Sequence, residues 1–358
     1  MTIQGPSLME WRTDYSISIH DRWYPYRSFF QEHGYILWVK SSYYVNGIIP
    51  GLEPPNDHPR APDGFSYTCE ANLDQVVGYT PARMTQFPAR TTDDRDVVII
   101  VVSDGEDGKN GVDVLKHVAT GRFTRLDRNH ALPVLDILEH GRYVFAVFPM
   151  VGSQFQRPWF ISMTEALHGM CQVVEGVAFL HDHLIAHRDL FTDNFLHSAP
   201  QRGRWPTDVI CLPRYYIIDF VTAIRFSPDS DPSTRTVRGI PWLDATGYSR
   251  KMPPEMLTDK PYCPFKADIW QLGRTFLTIF QQLQNFPEIR DVLDSMVADN
   301  PDARPTAHAA FQSLLDARRS IPTHLMMEPL PRPVYTFSDS PKHEGDTDDD
   351  YVSEEEVD

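Results

Sequence analysis

Residues 187–194 read H-R-D-L-F-T-D-N, and residues 216–221 read Y-I-I-D-F-V. No other pair of segments restricts this chain as much. The carboxylate of Asp189 is followed five residues later by the amide of Asn194, and a second carboxylate, Asp219, closes an apolar run. Hard oxygen ligands of this kind suit Mg²⁺, which takes one or two carboxylates together with substrate phosphates. In that chemistry Asp189 orients an attacking hydroxyl and accepts its proton, while Asn194 and Asp219 hold the metal. The set points to phosphoryl transfer, with ATP and Mg²⁺ as cofactors. His187 reads as a buried structural histidine beside the Asp219 segment. Arg188 reads either as a partner for a phosphate or as a residue packed without one.

Three further motifs follow in order. Met252 to Glu255 read M-P-P-E, Asp268 to Gly273 read D-I-W-Q-L-G, and Asn300 to Thr306 read N-P-D-A-R-P-T. Together with the first two segments, they resemble the C-terminal lobe of a eukaryotic protein kinase over residues ~140 to ~320. The resemblance implies an α+β, bilobal fold with a small β-rich N-lobe and a larger helical C-lobe. It implies that Glu255 and Arg304 form a structural ion pair and that Asp268 braces the catalytic-loop backbone. The expected divisions are an aromatic-rich extension over 1–70, a degraded N-lobe over 71–148, a C-lobe over 149–320 and an acidic disordered tail over 321–358.

Periodicity supplies the elements around these motifs. Leu167, Met170, Val173, Val174, Val177 and Leu180 fall at helical spacing over 164–183. Residues 142–150 (R-Y-V-F-A-V-F-P-M) read as a strand entering a proline-containing linker. The resemblance makes that linker the hinge, where backbone groups of Phe148 to Met150 would meet adenine; a plain buried strand with an ordinary turn is the competing reading. In the segment from Asp219 to Glu255, Ser233, Thr234 and Thr236 lie among Arg235 and Arg238. A phosphate there is a candidate partner for Arg188.

The N-lobe departs from the family pattern. Between Leu73 and Ile100 glycine occurs only at Gly78, within V-G-Y-T-P-A-R-M over 77–84, so no glycine-rich phosphate cradle is expected. The strand V-V-I-I-V-V over 97–102 has no Lys, and Ile100 or Val101 stands where the amine belongs. Gly111 stands where the following helix should carry a Glu, with Asp113 two residues on. Val221 replaces the Gly that ends the D-F-G motif, and Phe191 replaces the loop Lys that serine/threonine kinases place two residues after the catalytic Asp. Losing one preorganised donor costs about 2.7–4 kcal/mol of transition-state stabilisation. Turnover is therefore expected to be weak unless another cation substitutes. Arg90 is the first candidate, against the reading that it is a solvated strand residue. Arg83 and Lys109 are weaker candidates.

Composition sets the remaining bounds. The chain has 358 residues, 41% of them hydrophobic, and a net charge of −16. Ten acidic residues against one Lys over 339–358 concentrate that charge in a tail of disordered composition. No basic stripe suggests nucleic acid and no apolar run suggests a membrane. Cys69, Cys171, Cys211 and Cys263 show no metal-ligand spacing and read as reduced thiols. With no basic-then-apolar leader, an intracellular location is expected, cytoplasmic or nuclear. The aromatic stretch before residue 70, with R-S-F-F-Q-E-H-G-Y-I-L-W at 27–38 and N-H-A-L-P-V-L-D-I-L-E at 129–139, resembles kinase-like proteins of mushroom-forming fungi.

These readings favour a serine/threonine-type protein kinase with an atypical ATP site acting on an unknown protein substrate. The alternative is a pseudokinase serving as a nucleotide-binding or regulatory module. A small-molecule phosphotransferase would share Asp189 and Asn194 but has no use for M-P-P-E, D-I-W-Q-L-G and Arg304.

Overall fold

The apolar run V-V-I-I-V-V becomes the central strand of the small lobe. A computed structural model of the chain describes residues 5–40, 48–49, 83–155, 160–198, 213–241, 250–280 and 283–331. Within it lie strands β1 (Tyr35–Leu37), β2 (Val39–Lys40), β3 (Ile48–Ile49), β4 (Gln86–Thr91), β5 (Asp96–Ser103), β6 (Asp136–His140) and β7 (Tyr143–Pro149). Five of them form an antiparallel sheet in the order β1-β4-β5-β7-β6, and β2 pairs with β3 beside it. The period-two geometry of a strand sorts the β5 residues onto two faces. Val97, Ile99 and Val101 enter one core, whereas Val98 and Ile100 lie on the other face and are only partly buried. Ile100, not Val101, therefore stands on the face turned toward the large lobe.

The face carrying Val97, Ile99 and Val101 is covered by the N-terminal segment. Helices α1 (Leu8–Thr13), α2 (Ile19–Trp23) and α3 (Arg27–Glu32) bring Trp11, Trp23 and Phe30 against it, all three fully buried. Trp23 stacks on Phe87 at 5.5 Å, and Phe30 meets Phe145 edge-on at 5.0 Å. Such pairs contribute about 0.5–1.5 kcal/mol each beyond the area they bury. Residues 8–40 thus belong to the small lobe, and β1 is its first strand. The expected division at residue 70 is corrected here: aromatics so dense are buried by the sheet, not carried outside it.

On the opposite face, α4 (Lys109–Val118) packs between the sheet and the large lobe. The large lobe holds α5 (Met163–Asp182), α6 (Pro264–Ile279), α7 (Pro287–Met296), α8 (Ala307–Ser320) and the short α9 (Thr323–Met326). The expected stripe on α5 is buried throughout. Short strands β8 (Ser153–Gln154), β9 (Ile185–Ala186), β10 (Phe195–Ser198), β11 (Arg214–Ile217) and β12 (Ile224–Arg225) form small antiparallel sheets over α5 and carry the loops of interest. The chain continues to pack past residue 320: Ile321 and Met326 are buried, and the Leu330 N–H donates to the Ile161 carbonyl at 2.9 Å. Residues 321–331, placed in the tail by the expected division, therefore belong to the large lobe, because these apolar side chains dock on it. The acidic run over 339–358, the glycine-poor stretch over 77–82, Cys69 and Cys211 lie outside the described residues. The two lobes together form the bilobal α+β arrangement that the motifs imply.

Candidate active site

Strain marks the place where the two opening segments meet. Among the described residues four non-glycine positions have positive φ, and three of them are Leu184, Arg188 and Asp219, at 58°, 69° and 62°. Left-handed backbone at such residues costs about 1–3 kcal/mol each and persists only where the surroundings over-determine it. Here α6 does that. Asp268, fully buried, accepts from the backbone N–H of His187 at 2.8 Å and of Arg188 at 2.7 Å. Gln271 accepts from the Leu190 N–H at 3.2 Å and donates to the Arg188 carbonyl at 3.0 Å, and the Thr275 hydroxyl donates to the Leu190 carbonyl at 3.0 Å. These residues recur at helical spacing on one stripe of α6, so a single helix face grips the loop. The sequence marked Asp268 through its motif. Gln271 and Thr275 had no such signal, since a polar residue on a core helix stripe shows its purpose only once its partners are known.

His187 is buried in the same grip. Its Nδ1 accepts from the Asp189 N–H at 3.3 Å, which leaves Nε2 protonated and donating to the Ile218 carbonyl at 3.0 Å. It ties the loop over 187–194 to the Asp219 segment. Arg188 lies beside Tyr262, and its Nε has no hydrogen-bond partner among the described residues. Ser233, Thr234 and Thr236 are exposed.

Asp189 and Asn194 form a locked pair. The Asn194 amide donates to the Asp189 carbonyl at 2.7 Å and to its carboxylate at 2.8 Å. Burial pushes the Asp189 pKa up, with Asp219 adding to the shift and Arg250, His187 and Asn194 opposing it. Arg250 lies over the Phe191 ring at 4.7 Å, bonds Asp193 at 3.1 Å, and places Nη1 3.9 Å from the Asp189 carboxylate.

Asp219 faces the small lobe, and the cation that meets it is Arg83, at 3.3 Å with both side chains partly exposed. Arg90 does not reach the site. It is 1% exposed and forms a bidentate pair with Asp96, at 2.8 and 3.0 Å, inside the small lobe. The expectation for Arg90 is therefore corrected: the register opposes Arg90 to Asp96 across β4 and β5, and the buried carboxylate takes up the guanidinium. Lys109 is exposed at the start of α4. A further cation was not foreseen at all. Arg12 of α1 lines a cavity of about 130 Å³ with Asp107, Gly108, Val221 and Thr222. Burial lowers the Arg12 pKa while Asp219 opposes that shift, so its charge is felt at the site. Nothing in the local sequence of α1 links it to a motif more than 200 residues away.

The absent Lys–Glu pair has a structural counterpart. A Cβ on Gly111 would lie 3.1 Å from the Phe220 carbonyl oxygen and 3.4 Å from the Val221 Cα. The first turn of α4 therefore packs directly on the turn after Asp219, and a side chain at 111 would crowd the Phe220 carbonyl. Asp113 is exposed. The hinge also differs from expectation. The Met150 N–H donates to the Asp96 carbonyl at 2.9 Å, and the Phe148 and Met150 side chains are buried. The Met150 donor expected to meet adenine is thus spent within the small lobe, because β5 pairs with β7 right up to the linker.

Away from the cleft, Arg304 grips Glu255 with two bonds, at 2.5 and 2.9 Å, and also donates to the Ala298 and Lys266 carbonyls. The pair is buried on the Arg304 side and fixes the M-P-P-E segment against α6.

Comparison with known proteins agrees with this layout. Residues 123–291 match the family described as protein kinase domain. The serine/threonine-protein kinase ppk8 of Schizosaccharomyces pombe is 29% identical over 154 residues, covering 43% of this chain and 25% of that protein. The serine/threonine-protein kinase ksp1 of the same organism is 34% identical over 111 residues, covering 30% and 19%. The calcium/calmodulin-dependent protein kinase type II of Caenorhabditis elegans is 24% identical over 221 residues, covering 52% and 28%. The chain thus spans between 19% and 28% of the length of these curated relatives.

Proposed function

This chain belongs to the eukaryotic protein-kinase family, and we propose that it transfers phosphoryl groups from ATP to serine or threonine of a protein substrate through an atypical ATP site. The observation that carries the reading is the locked Asp189–Asn194 pair facing Asp219 on the strained loop. Both amide hydrogens of Asn194 are committed to Asp189, which leaves its amide oxygen uncommitted among the described residues. That oxygen and the Asp219 carboxylate are two hard donors, and Mg²⁺ needs no more than this from a protein when phosphates complete its shell. The residues fit the ion. Bound there, it would neutralise charge on the phosphate oxygens.

The chain's own residues do the remaining work. Asp189, held by Asn194, orients the substrate hydroxyl and takes its proton; its raised pKa makes it a better acceptor than an ordinary carboxylate. The hydroxyl oxygen forms the new P–O bond as the bond to the leaving ADP oxygen breaks, and ADP keeps that electron pair. Arg83, not Arg90, supplies the small-lobe cation toward the phosphates, with Arg12 behind it. In the free protein Arg83 pairs with Asp219, so its guanidinium must swing from carboxylate to phosphate as nucleotide enters.

A second reading has its own observation. The Met150 N–H is committed to Asp96 and Arg83 neutralises Asp219. Both features suit a regulatory module that never loads nucleotide. Thermal unfolding with and without millimolar Mg²⁺–ATP separates the two. Specific binding at a hundredfold excess over Kd stabilises the native state by about 2.7 kcal/mol. A clear rise in Tm supports the kinase reading, and an unchanged Tm selects the regulatory one.

A further inference from the structure

Arg250 is placed to do what the loop residue at 191 no longer does. Phe191 brings no charge, yet the guanidinium of Arg250 lies 4.7 Å from the centre of its ring. An aromatic face attracts and orients a planar guanidinium, and Arg suits this use better than Lys. Asp193 fixes the other edge through Nη2 at 3.1 Å. Held between the two, Nη1 is turned inward to 3.9 Å from the Asp189 carboxylate, beyond hydrogen-bond distance. It is buried and has no hydrogen-bond partner among the described residues. A buried guanidinium N–H without an acceptor is costly. The cost is relieved if an anionic oxygen occupies the space beside Asp189.

We propose that Arg250, seated on Phe191 and clamped by Asp193, binds the terminal phosphate of the nucleotide beside Asp189. The inference rests on the phosphotransferase reading above and adds the residue that recognises the transferred group. A cation delivered by the segment before M-P-P-E, not by the loop itself, also makes phosphate recognition depend on that segment being in place. Arg250 belongs to the binding machinery here; the competing role is a structural clip that only holds the segment against the loop.

The probe is the affinity of ATP relative to ADP, each measured with Mg²⁺ by calorimetry on the full chain. A terminal-phosphate contact is felt by ATP and not by ADP. The wild type is expected to prefer ATP. Arg250→Ala should lower ATP affinity by roughly 10–100-fold, the range for a hydrogen bond to a charged group, and leave ADP within about twofold. Arg250→Lys should keep most of the preference and shows that the fold tolerates change at this position. Phe191→Lys combined with Arg250→Ala should restore the preference from the loop side. An equal loss for ATP and ADP, or no loss, overturns the proposal while leaving nucleotide binding intact. Failure of the wild type to bind either nucleotide overturns both the proposal and the reading it rests on.

Discussion

Two arginines on the small-lobe side, Arg83 and Arg90, were candidates for one job, and their surroundings separate them. Arg90 is sealed inside the sheet with Asp96, and removing one partner of a buried pair leaves an uncompensated charge. Arg90→Ala should therefore destabilise the fold by about 3–5 kcal/mol in denaturant unfolding, with little change in the nucleotide Kd of the folded fraction. Arg83→Ala should do the reverse. Its pair with Asp219 is partly exposed and adds little to stability, while nucleotide binding should weaken by roughly tenfold or more if Arg83 meets the phosphates. Loss of Arg83 should also leave Asp219 more open to Mg²⁺, seen as a lower metal concentration at half-saturation. A Kd unmoved by Arg83→Ala would remove it from the site. The sequence could not rank these two residues, because rank depends on which carboxylate each one faces. Asp96 and Asp219 are 6 and 136 residues away from Arg90 and Arg83, respectively.

At the scale of elements, α1 is held to the sheet by Asp104. The Leu8 N–H donates to the Asp104 carboxylate at 2.7 Å, as do the N–H groups of Glu106 and Asp107 at 2.9 and 2.8 Å. Burial raises the Asp104 pKa, but these donors and Arg142 outweigh it, and the net shift is downward. A carboxylate with a depressed folded pKa stabilises above its unfolded value of about 3.9, and that stability is lost as pH falls through the folded pKa. Tm should accordingly fall below about pH 4 in part because α1 loosens. Asp104→Asn should lower Tm at neutral pH and flatten that acid dependence relative to wild type, with Trp11 fluorescence reporting the undocking. An acid slope equal to the wild type's would mean that Asp104 is not the anchor. Elements with strong periodicity were readable in advance: the α5 stripe, the β5 run and the short helix followed by a strand over 27–38 all stand where the pattern put them. What stayed unreadable was docking. No local pattern says that α1–α3 cover the bare face of the sheet, or that Gly111 serves close packing against Phe220.

Across the whole molecule the cleft has two halves, and they differ in how far the sequence reveals them. The large-lobe half sits on one chain segment and one helix face, so motif spacing translates directly into geometry: Asn194 holds Asp189, Asp268 holds the backbone of His187 and Arg188, and Arg304 holds Glu255. The small-lobe half is assembled from Arg12, Arg83 and the α4 turn, which only folding brings together. The central claim is that this second assembly restores enough of the lost phosphate grip for Asp189 to act. Phosphoryl transfer from radiolabelled ATP to a general protein substrate, with wild type and Asp189→Ala purified in parallel, tests it most directly. Incorporation by the wild type is expected, with a loss of about a hundredfold or more in Asp189→Ala, in line with the roughly 10²–10⁴-fold that a general base contributes. Equal incorporation by the two proteins, or none by a wild type that binds Mg²⁺–ATP, would contradict it.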